Sequence, residues 1–258
     1  MANFPAIYKE FSSRKVFTLE EVKAAFPNIK FASLYHQISH LIKRGYIGKV
    51  KRGLYYIIPP EAEPETFSSD ALLVASKLTK NSKLIYSGAV LARGLYHNFI
   101  HIIRITGSRR VPALTWGEFD IKFHQVLADH IGFEEMDILN VPVTVASEFR
   151  IIVDGLFRPK FVGGFEEYLR IIDKIEQIEP GEVIVCASAF KRQGLMQKVG
   201  LILELNQERW NVGSELLKIL EKNKTSFPIP LDPSSTARRL IPRWNLWVNG
   251  RVLERIKR

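Results

Sequence analysis

Two groups of residues in this chain have the types and spacing to work on phosphates. The first is cationic: Lys49, Lys51 and Arg52 precede a single glycine, Gly53, in the stretch KVKRGLYYIIPP. Like charges gathered at a turn repel one another, which water tolerates and which turns to attraction when the turn meets a polyanion such as a nucleic-acid backbone. An ordinary solvated turn is the alternative. The second group is acidic. Gly107 and Ser108 follow a predicted strand, and Glu118 and Asp120 come shortly after. A Gly-Ser backbone beside phosphate and a carboxylate pair on magnesium is the pattern of nucleotidyl transfer. Here Pro112 stands where a helix would have to start, and no third carboxylate is apparent on a neighbouring strand. A strand edge with Glu118, Asp120 and Lys122 on its solvent face accounts for the same letters, so no catalytic residue is assigned.

Other chemistry finds less support. His97 and His101 are four residues apart but flank a predicted strand, and no third ligand accompanies them, so no metal site and no cofactor is expected. The sole cysteine, Cys186, lies in the apolar run VIVCASAF and excludes an intramolecular disulfide or a multi-cysteine zinc site. No Walker or dinucleotide glycine loop occurs, nor an H-E-x-x-H or G-x-S-x-G pattern. The chain is not expected to be an enzyme.

The elements that must position the cations are legible around them. Thr18 and Glu21 in TLEEVKAAF have the spacing of a capping box, with Val22 and Phe26 on the buried face of the helix it starts. After Pro27 and Asn28, the spacing of Leu34, Ile38, Leu41 and Ile42 predicts a helix from about Lys30 to Arg44, stopped by Gly45. Lys30, Ser33, His36, Gln37, His40 and Lys43 fall off that apolar stripe. Tyr46 to Val50 and Leu54 to Ile58 then read as a two-stranded ribbon with the cations at its tip. No carboxylate occurs between Asn28 and Ile58.

Helix, turn, second helix with a basic polar face, then a basic hairpin is the order of a winged helix-turn-helix, whose second helix enters the major groove of double-stranded DNA while the wing lies on adjacent backbone. In that role Gln37 reads adenine, Ser33, His36 and His40 contact bases or phosphates, and Lys30 and Lys43 neutralise phosphate, as do Lys49, Lys51 and Arg52 on the wing. Winged helices also serve as protein-docking modules, and that alternative stays open.

Charge is distributed accordingly. Residues 1–60 hold ten Lys/Arg against three Asp/Glu, residues 61–222 nineteen against twenty-two, and residues 223–258 eight against two. The last segment contains Arg238, Arg239 and Arg243, a candidate second nucleic-acid or partner surface, with a solvated cluster as the alternative reading. PPEAEPETFSS at 59–69 has the composition of a linker or domain edge. The expected architecture is α+β: a winged helix-turn-helix over 1–60 and a larger mixed α/β domain over 66–258, the latter long enough to fold alone. Its helices and strands alternate, with Ser147 capping a helix to Phe157, and WNLWVN near the end reads as a strand with Trp244 and Trp247 on opposite faces. The first residues lack a signal-peptide pattern and no uncharged run approaches the length of a bilayer crossing, so no membrane partner and a cytoplasmic location are expected.

The segments LIKRGYIGKVKRGLY, YSGAVLARGL, VASEFRIIVDGL and RWNLWVN, in that order, resemble the AbiEi antitoxins of type IV toxin–antitoxin systems. The likeness spans most of the chain, through loose motifs of apolar positions with a few fixed Ser, Gly, Arg and Asp residues. The resemblance implies an autorepressor that binds inverted repeats in its own promoter, and a C-terminal domain that counters a cognate toxin of the nucleotidyltransferase class.

Overall fold

The computed structural model describes residues 5–234, 239–250, 252 and 254. The fold is mixed α and β and falls into two compact units. One comprises the residues up to Leu84, His101–Gln125 and Glu135–Val145; the other comprises Ile85–Ile100, Val126–Glu134 and the residues from Ala146 on.

The first unit opens with α1 (Ala6–Phe11), β1 (Val16–Thr18), α2 (Leu19–Ala25), α3 (Phe31–Lys43), β2 (Ile47–Lys51) and β3 (Leu54–Ile57). The three strands form one antiparallel sheet in the order β1-β3-β2. The capping box at the start of α2 is present: the Glu21 backbone N–H donates to Thr18 Oγ1 at 3.2 Å and the Thr18 N–H to Glu21 Oε2 at 2.7 Å. A continuous apolar core joins Ile7, Tyr8 and Phe11 of α1 to Phe17, Val22, Leu34, Ile38, Leu41, Ile47 and Tyr55. The apolar face of α3 is thereby covered, which fixes the direction of its opposite face.

This unit also holds α4 (Ala71–Ser76), β5 (Ile102–Thr106), β6 (Leu114–Trp116), β7 (Phe119–Phe123) and most of β4 (Lys83–Ile85), β8 (Phe133–Ile138) and β9 (Val141–Ala146). Asp70 caps α4, its carboxylate accepting the Leu72 and Leu73 N–H groups. The six strands form a mixed sheet ordered β6-β7-β5-β4-β9-β8, with β5 and β7 parallel and β6 and β7 antiparallel. Tyr56 of β3 packs edge-on against Trp116 at 5.5 Å between ring centroids, and the Trp116 indole donates to the Ser69 carbonyl at 2.8 Å. Gly48 makes room for the Tyr56 ring: a Cβ there would lie 1.9 Å from it.

The second unit is mainly helical: α5 (Ser87–Ala92), α6 (Glu148–Phe157), a 3-10 turn (Pro159–Val162), α7 (Phe165–Lys174), α8 (Pro180–Ala189), α9 (Leu195–Leu205) and α10 (Ser214–Lys222). A small sheet of β10 (Ile229–Pro230), β12 (Leu246–Val248) and β11 (Arg239–Ile241), in that order, completes it. Ser147 caps α6 by accepting the Arg150 N–H, as its position predicts. Trp244 lies in the turn before β12, fully buried, and Gly200 of α9 leaves the space its ring fills, since a Cβ there would stand 2.1 Å from it.

Arg150 of α6 is fully buried, with none of its surface exposed. Its guanidinium donates to the carbonyls of Leu127, Ala128 and Ile131 at 2.6, 2.7 and 2.9 Å, and it packs over the rings of Phe133 and Phe190. Its Nε lies 3.1 Å from a carboxylate oxygen of Asp154, one turn on, as an ion pair without an aligned hydrogen bond. Burial raises the Asp154 carboxyl to about 6, the Arg150 charge offsetting it only in part. Burial likewise pushes the Cys186 thiol up to about 12, leaving it a poor nucleophile.

Candidate nucleic-acid interface

The candidate surface is built on α3. Lys30 is its N-cap and Gly45, at φ +71°, turns the chain after its last residues. The buried Leu34, Ile38 and Leu41 direct Ser33, His36, Gln37, His40 and Lys43 into solvent, and all five are exposed, as is Lys30. Ser33, His36, Gln37 and His40 line one shallow groove of about 400 Å³, together with Pro5 and Leu41. The helix thus assembles donors, acceptors and cations along one face without an acidic residue.

The hairpin after α3 is closed by Arg52 and Gly53, the latter at φ +82°, and its turn is held to α2 by the Leu19 N–H, which donates to the Gly53 carbonyl at 2.9 Å. Lys49 and Arg52 are exposed. Lys51 is not directed outward with them. The strand register shifts between Lys49 and Lys51, and the Lys51 ammonium donates to the Leu78 carbonyl at 3.1 Å. Burial and the nearby Arg109 charge lower its pKa. The irregularity in the ribbon gives neighbouring lysines different directions, which alternation alone does not foretell.

Three residues of α3 and its C-terminal end escape the sequence reading. Arg44 is exposed and follows His40 by four residues and Ser33 by eleven, spacings that place it on the same face. Phe31 and Tyr35 are 50% and 46% exposed, large for aromatic side chains, and the Lys23 ammonium sits 4.1 Å from the Phe31 ring centre. Their signal is aromatic residues beside, not within, the run that forms the core.

The second basic group is divided. Arg238 lies outside the described residues. Arg239 is exposed on β11. Arg243 is committed internally, paired with Glu204 and, at 3.2 Å, with Glu221, while its guanidinium covers the Trp244 ring.

The Gly-Ser and carboxylate pattern is dispersed. Gly107 and Ser108 leave β5 into an irregular loop, and the Ser108 N–H donates to the Lys80 carbonyl at 3.0 Å. Glu118 is exposed in the turn between β6 and β7. Asp120 accepts from the Thr115 hydroxyl at 2.9 Å and pairs with Lys122 at 3.2 Å, contacts that lower its pKa. Among the described residues no group of three His, Cys, Asp or Glu side chains is placed to hold a metal, and no helix is long and apolar enough to cross a membrane.

No protein-family model matches the chain, and no curated protein does. Among solved structures it is similar to the RV2827C protein from Mycobacterium tuberculosis, with a TM-score of 0.60 at 14% identity over 98% of this chain and 94% of that one. At this identity the likeness shows a shared fold over nearly the full length.

Proposed function

We propose that residues up to about 60 act as a winged helix-turn-helix that binds double-stranded DNA, with α3 in the major groove and the β2–β3 hairpin as the wing. One observation carries the reading. The solvent face of α3 gathers Ser33, His36, Gln37, His40 and Lys43 without a carboxylate, next to a hairpin whose tip exposes Lys49 and Arg52. Phosphate contacts orient such a module, and a side chain such as Gln37 supplies base discrimination. The resemblance to AbiEi antitoxins adds the biological role: a transcriptional autorepressor acting at inverted repeats in its own promoter, with the region from about 66 on countering a nucleotidyltransferase-type toxin. The reading gives the chain no catalytic step, no metal and no cofactor, and it places the protein in the cytoplasm.

A gel-shift titration of the full chain on DNA from upstream of its own gene tests the proposal. Retarded bands that survive an excess of unrelated duplex are the expected result; absence of any duplex binding at low salt overturns it. Toxin counteraction is tested separately by co-expression with a neighbouring toxin gene. The exposed Phe31 and Tyr35 favour a second reading, a docking module for a protein partner, because large exposed aromatics are enriched at such contacts.

A further inference from the structure

The first unit carries more cations than α3 and the hairpin expose. Two segments distant in sequence meet beside the hairpin: the turn after α4, around Leu78–Ser82, and the loop after β5, Gly107–Ala113. They are tied by the Ser108 N–H to the Lys80 carbonyl at 3.0 Å and by the Thr79 hydroxyl to the Arg109 carbonyl at 3.2 Å. Gly107 permits the approach, since a Cβ there would stand 2.4 Å from Thr79 Cγ2. Lys51 reaches the same place from the hairpin through its bond to the Leu78 carbonyl.

The chemistry of this junction is one-sided. Lys80, Arg109 and Arg110 are exposed, and neither residues 77–83 nor residues 104–113 contain a carboxylate. Two acidic side chains of the unit already hold other lysines: Glu21 binds Lys77 at 2.7 Å, and Asp120 pairs with Lys122. Lys51 and Arg109 repel one another and are held near each other by side-chain hydrogen bonds to backbone carbonyls, Lys51 to Leu78 and Thr79 to Arg109. A fixed group of like charges is favourable when an anion of matching extent lies over it.

We propose that Lys80, Arg109 and Arg110 form a second phosphate-binding ridge that continues the hairpin's contact along the same DNA duplex, with Lys51 as the strut between hairpin and ridge. The inference rests on the DNA-binding reading and deepens it: the footprint extends past residue 60 onto the six-stranded-sheet part of the first unit. Contacts of this kind carry no base information, so the ridge adds affinity and sets orientation without changing which sequence is preferred. It also makes binding dependent on duplex length, because phosphates beyond the hairpin must be present to meet it.

The test is fluorescence anisotropy of the full-length chain on a long mixed-sequence duplex of about 30 base pairs and a short one of about 12, titrated across salt concentrations. Removing a cation that neutralises one phosphate lowers the slope of log K against log salt by about 0.9. The triple variant Lys80→Ala, Arg109→Ala, Arg110→Ala is expected to lower the slope by about 2 to 3 on the long duplex and little on the short one, with an unchanged melting temperature. Arg109→Gln with Arg110→Gln, which keeps most of the side-chain length, should lower it by about 2. Unchanged slopes on the long duplex in folded variants, with wild-type binding intact, overturn the ridge and leave the winged-helix reading standing. Failure of wild-type protein to bind either duplex overturns both. Greater dependence of an RNA duplex than of the DNA duplex on these residues overturns the assignment to DNA.

Discussion

The cations of α3 and its hairpin and those of the helical second unit are the same residue types put to opposite uses. On α3 and the hairpin tip, Lys43, Lys49 and Arg52 face solvent in a stretch without a carboxylate. In the helical unit, Arg150 is enclosed among three carbonyls and Asp154, and Arg243 lies between Glu204 and Glu221. Arg209 bonds the carbonyls of Ile172 and Asp173, and Lys198 that of Leu231. A cation satisfied from within holds the chain together; a cation facing water leaves its field available to a partner. Net charge over a segment does not distinguish the two, whereas the supply of nearby acceptors does.

Among the internally satisfied cations, Arg150 is the one whose removal should do most damage. Arg150→Ala leaves Asp154 buried beside three carbonyls that lose their donor, and removing one partner of a buried pair costs about 3 to 5 kcal/mol. Chemical denaturation should show that loss, and a stability change below about 1 kcal/mol would remove Arg150 from the architecture. The hairpin should behave in the contrary way. Lys49→Ala with Arg52→Ala should leave the melting temperature in place, weaken binding to every duplex alike and lower the salt slope by about 2. Weakening on one sequence only would assign these residues to base reading. Between them in kind stands Gln37→Ala, expected to reduce discrimination between operator and mutated operator by about 1 to 3 kcal/mol while leaving non-specific affinity as it was.

A smaller effect concerns pH. The Asp154 carboxyl titrates higher in the fold, at about 6, than in an unfolded chain, so its contribution to stability is full below the unfolded value and is lost as the pH rises through the folded one. Asp154→Asn should therefore flatten a decline in stability between about pH 4 and 6, read from denaturation midpoints across that range. The smallest expected effect is at the start of α2, where Thr18→Ala removes the cap and should cost about 1 kcal/mol.

The legible part of the candidate surface is that fixed by neighbours in sequence. Thr18 and Glu21 form their capping box because three residues always bring N-cap and N3 together, and Leu34, Ile38 and Leu41 orient α3 because helical spacing leaves them on one side. Gly53 closes the hairpin for a reason equally local, its positive φ. Strands β6 and β8 were not legible: neither holds a fully buried residue, β6 is only three residues long, and β8 does not alternate cleanly. The apolar run around Cys186 has no amphipathic period and is a helix, α8. Arg150 is the strongest departure from expectation, since arginine is rarely fully buried.

Residue order alone settles the local elements, the charge surplus of the first sixty residues and the polar face of α3, because helix periodicity, capping and turn geometry act over a few residues. Which cations remain available is settled by packing. Lys51 turns to the Leu78 carbonyl through a shift in strand register, Arg243 finds Glu204 and Glu221, and Arg109 comes beside Lys51 from a distant stretch of the chain. Those outcomes depend on acceptors supplied by remote segments, and the position of an acceptor in space exists only once the strands and helices that carry it have packed.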